Sequence, residues 1–294
     1  MYNKAFAAER KKRAPAEKQR WPEKMKIDSI RDKLVEQGKA LFNSPKQVIQ
    51  FTKNKQANAL LNDLDRFPHA FVLACVMDRQ IKAERAWMIP YMIAEKIGGF
   101  SIKNLGSQSK EDIRQLMSKP EPLHRFVDKM ADYFYSAVIR IKNQYNGNAS
   151  AIWSGKPSSA EVVYRFLEFS GVGPKIGSMA ANILAREFKI LFADYYSIDI
   201  SADVHIRRVF GRLGICAPDA TVEQVVYKAR ALYPEFPGMM DLPCWEIGRK
   251  WCKPRVPECN GCYMNGLCPT AQKYMNGQQA GAVDRQSATL LGGN

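Results

Sequence analysis

Four cysteines fall within the seventeen residues "CKPRVPECNGCYMNGLC", at Cys252, Cys259, Cys262 and Cys268, spaced C-x6-C-x2-C-x5-C. Thiolates that close together repel one another unless a bond or a cation joins them. Disulfides are the plainest explanation, but the opening residues, "MYNKAFAAERKKRAP", hold no apolar stretch of the kind a secretory signal needs. No apolar run approaches the length of a membrane span either. A reducing, cytosolic compartment is then the default, and there clustered cysteines bind metal more often than they pair. Two metal chemistries compete. Four-cysteine zinc sites usually arrive as two C-x2-C pairs, whereas only Cys259 and Cys262 are paired in that way. A [4Fe-4S] cubane takes one thiolate per iron and suits the wider flanking gaps. Spacing alone leaves both open. Cys75, Cys216 and Cys244 are dispersed and read as core residues.

A second constellation lies in "FSGVGPKIGSMAANI". One helix runs into Gly171, Val172 and Gly173, and another starts at Pro174, whose missing N–H costs little at a first helical position. Free N–H groups in such a turn, beside the positive end of a helix, can cradle a phosphate; a plain helical hairpin is the competing explanation. Lys175 stands one residue into the second helix, where a cation opposes the helix dipole. Desolvated, its amine could attack a sugar carbon; solvated, it would only touch a phosphate. Further on, "SADVHIRRVFGRLG" starts a helix at Asp203 that Gly214 ends. An N-cap is the simple role for Asp203, and the same position favours a charged carboxylate that could stabilise a developing positive charge. His205 reads as a packing or hydrogen-bonding residue.

The elements that must position these groups are helical throughout. Apolar spacing predicts helices over 27–42 and 44–64, the latter with Pro45 in its first turn, and one long buried helix over 69–97. Ser158 with Glu161, and Thr221 with Gln224, have capping-box spacing. Only 189–200, "KILFADYYSIDI", tempts a strand assignment. The class is all-α. With 46% hydrophobic and 25% charged residues the composition is that of an ordinary globular protein. Its formal net charge of +15 favours a polyanionic partner, most simply nucleic acid. Residues 1–26, with nine basic residues against three acidic ones, read as a flexible basic arm, and 270–294 as a disordered tail.

In this order, the glycine hairpin "GVGPK", then "ADVHI", then the four-cysteine loop resemble the helix-hairpin-helix DNA glycosylase superfamily, in the iron–sulfur branch typified by endonuclease III. The resemblance spans about Phe67 to Pro269, and the cysteine spacing matches that family's loop without a gap. It implies two helical lobes with a DNA cleft between them: a barrel over 67–189 and a cluster lobe over 190–269, joined by the N-terminal helices of 27–66. It also decides for a [4Fe-4S] cluster on the four cysteines, with Lys253 and Arg255 in a basic loop that meets phosphates. The implied activity is excision of a flipped-out, damaged or modified base from double-stranded DNA by a monomeric enzyme of the cytoplasm or nucleoid. Lys175 would attack C1′, form a Schiff base and permit strand cleavage by β-elimination, while Asp203 stabilises the sugar cation or activates the nucleophile. Gln80 falls where relatives fill the gap left by the flipped base, and Gly171, Val172 and Gly173 would grip the backbone.

Departures from the family pattern leave alternatives. Pro174 removes an N–H near the phosphate site, and an insertion of about ten residues between Lys175 and Asp203 brings Tyr195 and Tyr196 as candidates to stack on the base. Asp199 is a second carboxylate that could be confused with Asp203. A monofunctional glycosylase, and a DNA-binding protein that kept the cluster without catalysis, remain as other readings. The chain after the cluster leaves no room for the extra domain of adenine-removing relatives; an oxidised or fragmented pyrimidine is the default substrate, with 8-oxoguanine or another modified base as the alternative.

Overall fold

The structure, a computed structural model, describes residues 24–275, and the basic arm through residue 23 lies outside them. Among the described residues every regular element is helical, and no helix is long and apolar enough to cross a membrane. In chain order the α-helices are α1 (Lys24–Asn43), α2 (Lys55–Asn62), α3 (Pro68–Met77), α4 (Ala83–Ile97), α5 (Ile102–Leu105), α6 (Lys110–Ser118) and α7 (Val127–Gln144). They continue with α8 (Ser159–Leu167), α9 (Pro174–Arg186), α10 (Val204–Leu213), α11 (Val222–Leu232) and α12 (Asp241–Lys250).

Two hydrophobic cores organise them. The first is built around α3, "PHAFVLACVM", every residue of which is buried, with α2, α4, α7 and α9 packed about it and α6 and α8 adding to the core from beyond them. A helix apolar on all sides can only be central. The second core joins Ile30 and Leu34 of α1 to Val209 and Phe210 of α10, Val225 of α11 and Cys244 and Ile247 of α12. The first core extends past residue 189, drawing in Phe192, Ile198 and Phe236.

Several sequence expectations change. The helix expected over 44–64 covers only α2. The chain before it is irregular, because Asn58 and Asn62 satisfy its backbone instead: Asn58 Oδ1 accepts from Thr52 N (2.9 Å), and Asn62 pairs with both Ile49 N (2.9 Å) and Ile49 O (3.0 Å). Side-chain amides offer the backbone an alternative to helical bonds. The long helix over 69–97 is two helices, broken at 78–82, where Gln80 adopts φ 52. A side chain in that left-handed region is uncommon and interrupts a helix. Residues 189–200 form no strand. Their backbone and side chains tie to other elements, with Ala193 N donating to Pro157 O (2.9 Å) and Gly238 N to Ile198 O (2.7 Å). Thr221 and Gln224 make the full capping box, while Ser158 makes half of one, since Glu161 turns to Arg165 (2.9 Å). Residues 270–275 of the expected disordered tail are helical, and the tail from 276 onward lies outside the described residues.

Candidate active site and cysteine pocket

The glycine hairpin between α8 and α9 is shaped by close packing. Gly171 has φ 89, and a Cβ there would lie 2.6 Å from the Tyr133 ring, so only glycine fits. Val172 is buried in the first core and anchors the turn from below. Gly173 faces open space, with nothing within 4 Å of an added Cβ. Among the described residues neither the Gly173 nor the Lys175 N–H donates to a backbone carbonyl, as expected at a helix start. The turn therefore offers two unclaimed donors on an open side.

Lys175, at the second position of α9, is exposed, and among the described residues its amine makes no hydrogen bond or ion pair. Asp203 is the N-cap of α10, its Oδ1 accepting from His205 N (2.8 Å) and Ile206 N (2.9 Å). This geometry commits one carboxylate oxygen to the helix start and leaves the other without a partner. Behind it, Asp241 accepts from Ser201 N (2.5 Å) and so fixes the residues that enter α10. His205 sits against Gly248, with Nδ1 3.0 Å from Arg208.

Asp78 ends α3, and sequence reasoning missed it. Burial pushes its carboxyl up, Lys175 pulls it back, and Asp203 and Glu84 add to the rise. The charges of Lys175 and Asp203 thus both act on Asp78, at the end of the first core's central helix. One signal was available: an acid directly after ten wholly buried residues must sit at a surface or in a cleft. Next to it, Arg79 donates to Gly171 O and covers the Tyr133 ring at 5.7 Å, tying the 78–82 turn to the hairpin. Gln80 is exposed at the tip of that turn. Glu84 of α4 reaches Arg249 of α12 at 3.4 Å.

The two tyrosines separate. Tyr195 stacks on Phe236 (4.9 Å between centroids) and meets Phe42 edge-on (5.8 Å), which makes it a packing residue, while Tyr196 is 63% exposed. Asp199 is held by Arg230 through two 2.7 Å contacts.

The cysteine loop closes against α10 and α12. Cys252, Cys259, Cys262 and Cys268 line one pocket, whose other walls include Leu213, Ile247 and Met264. Arg212 Nη1 donates to Cys252 Sγ (3.3 Å) and Ala271 N to Cys268 Sγ (3.4 Å). Burial pushes the thiols of Cys259, Cys262 and Cys268 up, and charge on neighbouring cysteines adds to it. Ionised together they need a cation between them. Among the described residues no three His, Cys, Asp or Glu side chains converge on a single metal ion. Arg208 links this region to the start of α10, donating to Cys252 O (2.7 Å) and Gly248 O (2.9 Å). Lys253 donates to Arg249 O, whereas Arg255 is exposed. Cys75 and Cys244 are fully buried and Cys216 nearly so.

A thermostable thymine-DNA glycosylase superposes with a TM-score of 0.55 at 15% identity, covering 84% of this chain and 99% of that one. A trapped endonuclease III–DNA covalent intermediate superposes with a TM-score of 0.54 at 18% identity, over 84% and 98%. The chain has the helix-hairpin-helix DNA glycosylase fold. In sequence, endonuclease III of Thermotoga maritima is 26% identical over 175 residues, which are 57% of this chain and 72% of that protein. No family model matches the chain.

Proposed function

We propose that the protein is a base-excision DNA glycosylase with an associated lyase activity, acting as a monomer on double-stranded DNA that carries a damaged or modified base. The observation that carries the reading is that the chain holds an unpartnered amine, Lys175, at the start of α9 and an N-cap carboxylate with one oxygen uncommitted, Asp203, at the start of α10, and the charges of both act on Asp78. DNA binding alone requires neither group. The glycine turn offers N–H donors to a backbone phosphate, and Arg255 with Lys253 adds positive charge from the cysteine loop. Flipping the target nucleotide costs a few kcal/mol of stacking, and exposed Gln80, held in a strained backbone conformation, is suited to fill the gap. The Lys175 amine then attacks C1′ as the base departs, and the Asp203 carboxylate offsets the positive charge that develops on the sugar. The resulting Schiff base allows β-elimination. An oxidised or fragmented pyrimidine is the substrate class this reading favours.

The four cysteines fit a [4Fe-4S] cluster. They surround a pocket rather than meet at a point, two of their sulfurs accept N–H bonds, and a cubane takes one thiolate per iron. Bound there, the group would be structural, holding the 252–268 loop in shape.

Borohydride reduction tests the reading, because it fixes a Schiff base as a permanent link between protein and DNA. Wild-type protein should crosslink to a duplex with one abasic site and Lys175→Gln should not. Asp203→Asn should bind the duplex but lose base excision. Crosslinking that persists in Lys175→Gln would move the nucleophile elsewhere. Excision with no crosslink would instead indicate a monofunctional enzyme that uses water.

A further inference from the structure

A lysine that attacks carbon must first lose its ammonium proton, and Asp203 is poorly placed to be the sole acceptor. One of its carboxylate oxygens is committed to two backbone N–H groups at the start of α10. Asp78 is not committed in this way. Only its backbone N–H is bonded, to Cys75 O at 3.1 Å, and among the described residues nothing donates to its carboxylate. That carboxylate is desolvated enough to hold a proton more readily than a free one, yet none of its acceptor capacity is used by the fold. Its position is also fixed rather than accidental. The adjacent Arg79 is bonded to Gly171 O, four residues before Lys175, and His124 Nε2 lies 3.0 Å from Arg79 O on the other side.

We infer that Asp78 takes the proton from the Lys175 ammonium and holds it during excision, an inference that rests on the proposed glycosylase reading. The step balances. The Lys175 ammonium gives a proton to the Asp78 carboxylate, leaving a neutral amine and a carboxylic acid. The amine nitrogen bonds to C1′ as the bond from C1′ to the base breaks, and the bonding pair leaves with the base. The proton on Asp78 passes to the departing base, which restores the carboxylate. The charged groups facing Asp78 are Lys175 from α9, Asp203 from the start of α10 and Glu84 from α4, with the Cys75 thiol on its own helix. Burial and the two acids raise the affinity of Asp78 for a proton, the direction an acceptor needs if it is to compete with an amine.

The test uses the full-length protein and a duplex with a single abasic site, trapped with borohydride between about pH 5 and pH 10. Wild-type crosslinking should rise through the acid range as Asp78 ionises. Asp78→Asn should crosslink about 100-fold more slowly near neutral pH. That deficit should narrow toward the alkaline end, where solvent removes protons from lysine side chains without help. Asp78→Glu should recover part of the rate. Asp78→Asn should also melt at a higher temperature than wild type at neutral pH, because it removes an unpaired, half-buried charge, and bind the duplex equally well. Equal crosslinking rates across the pH range would overturn the proposal, as would a deficit independent of pH accompanied by a lower melting temperature. A wild-type protein that never crosslinks would remove the lyase reading itself, and the Asp78 role with it.

Discussion

The Arg79 guanidinium donates to the Gly171 carbonyl, joining the turn after the central helix to the hairpin that carries Lys175. Ninety-two positions separate the two residues, so this bond, with the packing of α3 on α9, holds together groups that the sequence keeps far apart. Arg79→Ala should cost about 2 kcal/mol of stability, the scale of a lost charged hydrogen bond. It should slow crosslinking to an abasic duplex more than it weakens binding, because alignment is lost and the DNA contacts remain. Equal losses in binding and rate would show that Arg79 serves only the fold.

The two glycines of the hairpin should respond differently to the same substitution. Gly171→Ala places a methyl against the Tyr133 ring in a left-handed backbone, costing about 1–3 kcal/mol for the backbone alone. Gly173→Ala meets nothing in the free protein and should leave the melting temperature unchanged. If a phosphate approaches the open side of Gly173, that same methyl should weaken duplex binding by about tenfold or more, measurable by fluorescence anisotropy. Unchanged affinity in Gly173→Ala would remove the hairpin from the DNA interface.

Local signals were readable in the sequence, and long-range ones were not. The glycine turn, the Asp203 cap and the Thr221–Gln224 capping box depend on residues within a few positions of each other, and each is where its spacing put it. Asp78 was overlooked because apolar spacing ran one helix through 69–97, which places it in mid-helix and hides the break where the charges of Lys175 and Asp203 reach it from other elements. The first half of the helix expected over 44–64 failed for a related reason. Its backbone is satisfied by the side chains of Asn58 and Asn62, whose reach across the chain leaves no periodic trace. Tyr195 shows the converse: its residue type suited a base pocket, but neighbouring Phe42 and Phe236 claim its ring.

For the cysteine loop, protein purified without oxygen should be yellow-brown, with iron and sulfide in equal amounts. Cys259→Ser should lose the colour and loosen the loop around Lys253 and Arg255, while the first core stays folded. A colourless protein with one zinc per chain would exclude the cluster. Arg255 is exposed and unclaimed whereas Lys253 is engaged with Arg249 O, so Arg255→Ala should reduce the salt dependence of duplex binding by about one unit of slope, and Lys253→Ala by less.

Asp241 offers a test of how Asp203 is held. Burial pushes its carboxyl up, the Ser201 N–H and Arg186 oppose that, and the nearby Asp203 charge adds to it. A carboxyl raised in the folded state binds more protons there than in the unfolded chain. Its ionisation therefore costs stability as pH climbs from the ordinary carboxylate range through the raised value, and the cost is absent below that range. Asp241→Asn keeps an oxygen for Ser201 N and removes the charge. It should melt higher than wild type near neutral pH, and the difference should vanish toward about pH 3, where wild-type Asp241 is protonated. Excision should be kept, because the amide still fixes the residues leading to Asp203. Asp241→Ala removes the acceptor as well, and should lose excision while still binding the duplex. If Asp241→Ala excised at the wild-type rate, the Ser201 contact would have no part in placing Asp203.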